Sequence, residues 1–179
     1  MKKRLAFRWI AANTLAWTVA TGAGLPFRGL WGWIACGAIV GTAQWLALRR
    51  HFRLSPAWIA GTCFAWTVGK WAGGAHSSLF VPTDPLWAGI TGGTLAGVAQ
   101  SCVLWRQASR PALWAPTTIV ASTLGWVAGL YIGFRVWNWA GDLAACFAAG
   151  ATLGAVIGAA SALPLLMMLR HPKPRQEAV

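Results

Sequence analysis

Two glutamines stand inside long apolar stretches of the chain, where few other side chains can form several hydrogen bonds. Gln44 lies in GAIVGTAQWLALRR, residues 37–50, and Gln100 lies in a second copy, GTLAGVAQSCVLWR, residues 93–106, at an offset of 56. Lipid cannot satisfy the donors and acceptors of an amide, so both side chains are expected to point into a helical bundle. There they would form hydrogen bonds between helices, or a polar ring that binds a headgroup, a quinone-like carbonyl or a small solute.

A second set of polar residues lies at the opposite ends of the apolar stretches and mixes both signs of charge. Its members are Lys70, His76, Asp84, Arg135 and Asp142. Lys70 is expected to extend outward from its helix end. Each aspartate precedes an apolar stretch, where it would cap a helix and meet the positive end of the helix dipole. The alternative is an outer polar site for a solute or a partner protein. One histidine does not predict a metal site, although axial ligation of a pigment requires only one.

Tryptophan is abundant, with 14 residues, and most of them lie near the ends of the apolar stretches. Such a distribution is typical of the aromatic belts at membrane interfaces. Trp17, Trp66 and Trp126 lie deeper, at matched positions of the copies, and a buried indole N–H needs a hydrogen-bond partner. These three are expected to pack in the interior or to line a groove for an apolar ligand or pigment.

Glycines recur at four-residue spacing and predict close approach of helix backbones. The pairs are Gly37 and Gly41, Gly93 and Gly97, and Gly154 and Gly158. Such a face forms an internal seam between helices, a contact between two copies of the chain, or a slot for a flat ligand. The spacing is common in membrane helices and does not choose among these.

The elements that must position these residues are apolar segments. Apolar residues make up 57% of the 179-residue chain and charged ones 10%, with only three acidic side chains. This composition predicts an all-α membrane protein with a single transmembrane domain, since about 20 apolar residues span the hydrocarbon layer. The predicted helices are 6–24, 31–48, 57–75, 86–105, 112–134 and 143–169, followed by a short basic tail, 170–179.

The segments form three tandem helical hairpins. WIAANTLAWTV, residues 9–19, recurs as WIAGTCFAWTV, residues 58–68; the fifth segment keeps the later tryptophan as Trp126 and lacks the earlier one. The even segments share the glycine face, and the sixth carries Ser161 where the glutamines stand. Three copies oriented alike predict parallel repeats about an axis along the membrane normal, closing as a pseudo-threefold bundle.

The cationic side chains set the orientation. Twelve of the 15 Lys and Arg residues lie at one set of helix ends, which includes both termini. The excess of positive charge in cytoplasmic loops then predicts that both termini are cytoplasmic. Cations confined to the margins of long uncharged runs are topology determinants, so the net charge of +12 does not predict nucleic-acid binding.

The two motifs together resemble a group of uncharacterised small bacterial multi-pass membrane proteins with repeated GxxxGxxQWLxLRR and Trp-rich GW helical hairpins. The match is close at residues 41–50 and 58–69 and partial at 97–106 and 122–129. The resemblance implies a multi-pass protein of the bacterial inner membrane. It implies no activity and no cofactor.

The function expected first is a non-catalytic accessory or scaffold subunit of a larger membrane complex, in contact with membrane lipids and with a membrane-protein partner or further copies of itself. Such a subunit would also be able to hold lipid or pigment. The alternative is a small-solute transporter, or the substrate-binding membrane component of one, that uses Gln44 and Gln100. An intramembrane enzyme is the weakest alternative, because no paired carboxylates, no nucleophile–base combination and no phosphate-cradling loop can be assembled from the sequence.

Overall fold

The computed structural model describes residues 2–23, 29–73, 85–105 and 107–170. These residues fold into α-helices with no strand among them. The helices are α1 (Lys2–Ala23), α2 (Leu30–Leu48), α3 (Ala57–Ala72), α4 (Pro85–Leu104) and α5 (Trp114–Arg170), and a 3₁₀ turn, Pro111–Leu113, leads into α5. The all-α class expected from composition is confirmed, and four of the predicted segments correspond to α1 through α4.

Helix α5 is interrupted at Gly141, whose φ of 77° and ψ of −177° are accessible to glycine and not to other residues. Its two parts, residues 114–140 and 142–170, fold back on each other: Gly133 and Gly129 both approach Ala149, and Gly125 approaches Leu153. The predicted boundaries differ here. The sequence predicts a loop at 135–142, whereas the helix continues to the residue before Gly141 and resumes directly after it.

The helices pack in chain order, and the last helix, α5, also packs against the first, α1. Helix α2 packs on α1 and α3, α4 packs on α3 and α5, and α5 also packs on α1. The glycines expected to form seams lie at these contacts, where an added methyl group would come within about 3 Å of a facing backbone. A Cβ atom added to Gly41 would lie 3.1 Å from Cα of Ile59, one added to Gly97 would lie 2.8 Å from Cα of Ala115, and one added to Gly158 would lie 2.9 Å from Cα of Ile10.

The buried apolar side chains form two clusters, one at each end of the helices. The first lies at the ends that the sequence assigns to the cytoplasm and includes Trp9, Leu48, Trp58, Leu104 and Trp114. The second includes Trp17, Val40, Trp66, Trp126 and Leu153. The buried polar residues Asn13, Gln44, Thr62, Gln100, Thr118 and Ser161 lie along the helices between them.

Large apolar side chains also cover the outside of the helices. Phe7 of α1, Trp31 of α2 and Phe64 of α3 are 74%, 73% and 63% exposed, and Tyr131 of α5 is 63% exposed. Two stretches, Leu30–Leu48 and Pro111–Met168, are long and apolar enough to cross a membrane by length and composition.

Candidate functional site

Three tryptophans lie near the starts of α1, α3 and the first part of α5, which we call the odd-numbered passes; α2, α4 and the second part of α5 are the even-numbered passes. Trp9 is in the second turn of α1, Trp58 is in the first turn of α3, and Trp114 is the first residue of α5; all three are buried. The ring centroid of Trp114 lies 5.7 Å from that of Trp9 and 5.9 Å from that of Trp58. The three indoles therefore meet in one layer, although their helices are far apart in sequence.

Each of these indoles donates its N–H to a polar side chain on a neighbouring helix. The acceptor in every case is the residue three positions after a seam glycine, so the same helix face that permits close approach also carries the hydrogen bond. The bonds run from Trp58 to Oε1 of Gln44 at 3.3 Å, from Trp114 to Oε1 of Gln100 at 2.8 Å, and from Trp9 to Oγ of Ser161 at 2.8 Å.

Gln44 is held on every side. Its Nε2 donates to Oδ1 of Asn13 at 2.8 Å, and its Oε1 accepts from the indole of Trp58 and from Nε2 of Gln100 at 3.1 Å. Asn13 itself donates to the backbone carbonyl of Trp9. A primary amide can form four hydrogen bonds, so Gln44 uses three of the four.

Gln100 repeats the arrangement. Its Nε2 donates to Oε1 of Gln44 and to Oγ1 of Thr62 at 2.9 Å, and its Oε1 accepts from the indole of Trp114. It too uses three of four possible bonds and is 3% exposed. The sequence leaves open whether the glutamines bond between helices or form a ligand ring. The structure brings the two amides together and engages them with other helices.

In the third copy of the repeat, Ser161 occupies the place of the glutamines, and it forms fewer hydrogen bonds between helices than they do. Ser161 accepts from Trp9 and donates to the backbone carbonyl of Ile157 at 2.5 Å. Thr118, which corresponds to Thr62 in the repeat, donates to the backbone of Trp114 just as Thr62 donates to that of Trp58, but unlike Thr62 it accepts no hydrogen bond from a described side chain. We call Trp9, Asn13, Gln44, Trp58, Thr62, Gln100, Trp114 and Ser161 the polar network.

Trp17, Trp66 and Trp126 meet in the interior two to three helical turns farther along. The rings of Trp17 and Trp66 meet edge to face with centroids 4.9 Å apart, and those of Trp17 and Trp126 are 6.0 Å apart. All three are at most 4% exposed, yet their N–H groups have no acceptor among the described residues. Lys70 lies beside them, with Nζ 6.0 Å from the ring centroid of Trp126.

Three members of the outer polar set, Lys70, Arg135 and Asp142, lie within the described residues. Lys70, which the sequence predicts to extend outward, is instead 3% exposed, while Arg135 and Asp142 are exposed. Asp142 accepts a hydrogen bond from the indole of Trp137. His76 and Asp84 lie outside the described residues.

Sequence reasoning missed Trp114 and Asn13, which complete the polar network. The signal for Trp114 was present, because it follows Trp58 by 56 residues, the same offset that relates the two glutamines. The sequence comparison aligned Trp126 with Trp17 and Trp66, and this alignment left no equivalent of Trp58 in the fifth segment. Gln107 was also missed: its amide exchanges two hydrogen bonds with the backbone of Arg53, at 2.6 and 2.9 Å, and ties two loops together.

The cysteines and acids of the described ranges do not cluster: no group of three His, Cys, Asp or Glu side chains that could hold a metal occurs there. Cys36 and Cys63 each lie on a helix interface, with Sγ hydrogen-bonded to a backbone carbonyl of the preceding helix, Ala20 at 2.9 Å and Ile34 at 3.3 Å. Comparison with protein-family models, with curated proteins and with solved structures gave no match to this chain.

Proposed function

We propose that this chain is a non-catalytic accessory or scaffold subunit of a membrane complex in the bacterial inner membrane. It crosses the bilayer six times, as three hairpins related by a pseudo-threefold axis, with both termini in the cytoplasm. The two parts of α5 provide the last two crossings.

Helix lengths and the apolar exterior support the membrane location. Helices α1 to α4 contain 22, 19, 16 and 20 residues, and at 1.5 Å per residue they are roughly 24 to 33 Å long. This length is comparable to the hydrocarbon core of about 30 Å. A soluble protein rarely exposes large apolar side chains on every helix, whereas lipid is a suitable solvent for them.

The pseudo-threefold arrangement is supported by recurring contacts. Each tryptophan of the first layer bonds to the polar residue of the preceding even-numbered pass, and the last of these bonds joins α1 to α5. The same cyclic order relates the glycine contacts. A bundle in which the first helix follows the last in this way has no open edge.

One observation carries the scaffold role: the glutamines use three of their four hydrogen bonds each on other helices. A solute carrier that used these amides would need them free during part of its cycle. Groups already bonded to each other instead fix the positions of the helices. The outside, which is apolar and rich in exposed aromatic side chains, is then the surface that meets lipid and a partner chain.

Purification of the tagged protein in mild detergent tests this role. We expect stoichiometric co-purification of another membrane chain, or a multiple of the protein's own mass if the partner is a second copy. A monodisperse monomer under several mild detergents would contradict the proposal. Visible absorbance of the purified material reports a bound pigment in the same experiment.

Labelling with a membrane-impermeant thiol reagent tests the topology in a variant whose native cysteines are replaced by serine. Ser55 and Asn138 lie at opposite ends of the helices and are both exposed. We expect Asn138→Cys to react from the periplasmic side in intact cells and Ser55→Cys to react only after the membrane is opened. The reverse pattern would overturn the orientation.

A further inference from the structure

The interior of the bundle contains a second polar layer in which no hydrogen bond is formed. We number positions along each of the helices α1, α3 and α5 from its first-layer tryptophan. The residues at position +4 are Asn13, Thr62 and Thr118, which are buried at the level of the polar network. The residues at position +8 are Trp17, Trp66 and Ser122. Helical residues four apart share a face, so these three point toward the same interior as the polar network.

All three polar atoms of this layer lack a partner. The indole nitrogens of Trp17 and Trp66 and the hydroxyl of Ser122 are buried without an acceptor or donor within the described ranges. Leaving a buried polar group unpaired costs roughly 1–3 kcal/mol. The indoles of the first layer, in the same helices, are all paired. Among the described residues, Trp33, His51 and Ser109 also have unpaired buried atoms, but only here do three such side chains lie at one level of the bundle.

The next layer adds a cation. Position +12 is occupied by Thr21, Lys70 and Trp126. Thr21 donates to backbone carbonyls, but the indole N–H of Trp126 is also unpaired. Lys70 is 3% exposed, its Nζ lies 6.0 Å from the ring centroid of Trp126, and no hydrogen bond or ion pair joins it to another described residue, although Cys146 lies near both Lys70 and Asp142.

We call Trp17, Trp66, Ser122, Trp126 and Lys70 the donor cluster. Three N–H groups and one ammonium are donors only, and Ser122 can donate as well. The cluster therefore lacks acceptors, and its formal charge is +1 from Lys70. The group that would complete it has at least two oxygen acceptors, one negative charge and an apolar body that lies against indole rings.

We propose that the donor cluster binds the anionic head of an amphiphile with a single negative charge. Two sources share this chemistry, a free fatty-acid carboxylate and the phosphodiester of a phospholipid such as phosphatidylglycerol. The indole N–H groups and the Lys70 ammonium would donate to the head, and the acyl chain would extend along the apolar rings. This inference rests on the proposed membrane location and not on the existence of a partner subunit.

The test is native mass spectrometry of the full chain in detergent, titrated separately with hexadecanoate, dioleoylphosphatidylglycerol and hexadecan-1-ol. We expect one saturable adduct with hexadecanoate or with phosphatidylglycerol, and binding of the uncharged alcohol at least tenfold weaker. Whichever anion binds identifies the source. Equal binding of alcohol and both anions would overturn the proposal, because the charge and acceptors would then contribute nothing.

Variants locate the adduct. Lys70→Met keeps an unbranched side chain of nearly the same length and removes its charge, and should weaken anion binding tenfold or more, the loss of about one charged hydrogen bond. Trp66→Phe keeps an aromatic ring, removes one donor and should weaken binding severalfold. The matched control is Arg135→Met, which removes an exposed cation and should leave affinity within twofold of wild type.

One outcome separates this inference from the scaffold role. If the protein purifies as a lone monomer but binds the anion through Lys70, the scaffold role fails and the donor cluster stands. If Lys70→Met does not fold, Trp66→Phe and Trp126→Phe still test the site. Wild-type affinity in both of those variants would overturn it.

Discussion

Replacing the two glutamines of the polar network separates their contribution to stability from any role in ligand binding. Gln44→Leu removes the bonds to Asn13, Trp58 and Gln100, and leaves those three partners buried. Side-chain hydrogen bonds in a membrane protein contribute about 0.6 kcal/mol each on average. We therefore expect a loss of about 2 kcal/mol from the bonds, increasing to about 4 kcal/mol where the abandoned groups find no other partner.

Gln100→Leu should cost a similar amount, since it also removes three bonds. One of these, from Nε2 of Gln100 to Oε1 of Gln44, is shared by the two glutamines. The double variant should therefore be less destabilised than the sum of the singles by at least about 0.6 kcal/mol, which is the coupling that a double-mutant cycle measures.

Reversible unfolding in mixed lipid–detergent micelles with increasing dodecyl sulfate, followed by far-ultraviolet circular dichroism, gives these free energies. Thr42→Val is the matched control, because Thr42 lies on the same helix and is exposed; its free energy of unfolding should stay within 0.5 kcal/mol of wild type. Strict additivity of the two glutamine variants would refute the shared bond. Wild-type stability in both single variants would refute the network as a source of stability.

Three further expectations follow from the same geometry. Gly158→Leu should destabilise the protein by about 1–3 kcal/mol or prevent folding, because even a methyl group would lie 2.9 Å from the backbone of Ile10, whereas the exposed neighbour Ala159→Leu should be tolerated in the same unfolding assay. Trp114→Phe should cost more than Trp66→Phe by about 0.5–1.5 kcal/mol, since only Trp114 loses a hydrogen bond along with its volume; equal losses would contradict the assignment. If reconstituted protein carries a solute, uptake per folded molecule should persist in the double glutamine variant, and its loss would favour transport through the amides.

Two of the three glycine pairs and the two glutamines recur at an offset of 56, so their placement on equivalent helix faces follows from the repeat. Gly41 and Gly97 occupy equivalent helix faces. A packing arrangement that repeats along the chain therefore buries both of them at helix contacts. The interior position of Gln44 and Gln100 follows from the cost of an amide in lipid, which holds whatever the partners are.

The partners themselves were not predictable from spacing alone. Asn13 corresponds to Thr62 in the repeat, and each accepts a hydrogen bond from the glutamine of the following helix, although the two side chains differ in type and length. The burial of Lys70 contradicts the general tendency of lysine to extend from a helix end toward water. The helical structure of 135–140 was missed because a sequence containing Trp137 and Asn138 between charged residues is typical of a loop.

The three copies of the repeat are alike at some levels of the bundle and differ at others. At positions 0 and +4 the three copies carry the same or similar residues, and the indole N–H groups there are all paired. At position +8 the third copy has Ser122 in place of tryptophan, and at +12 the copies diverge completely, with Lys70 in one and Trp126 in another. Unpaired polar atoms occur at these later positions and stand apart from the polar network. A layer that only held helices together would gain stability from satisfied bonds, as the first layer does. The loss of symmetry together with unpaired donors and a buried cation is the pattern expected where a ligand, rather than another helix, supplies the missing acceptors.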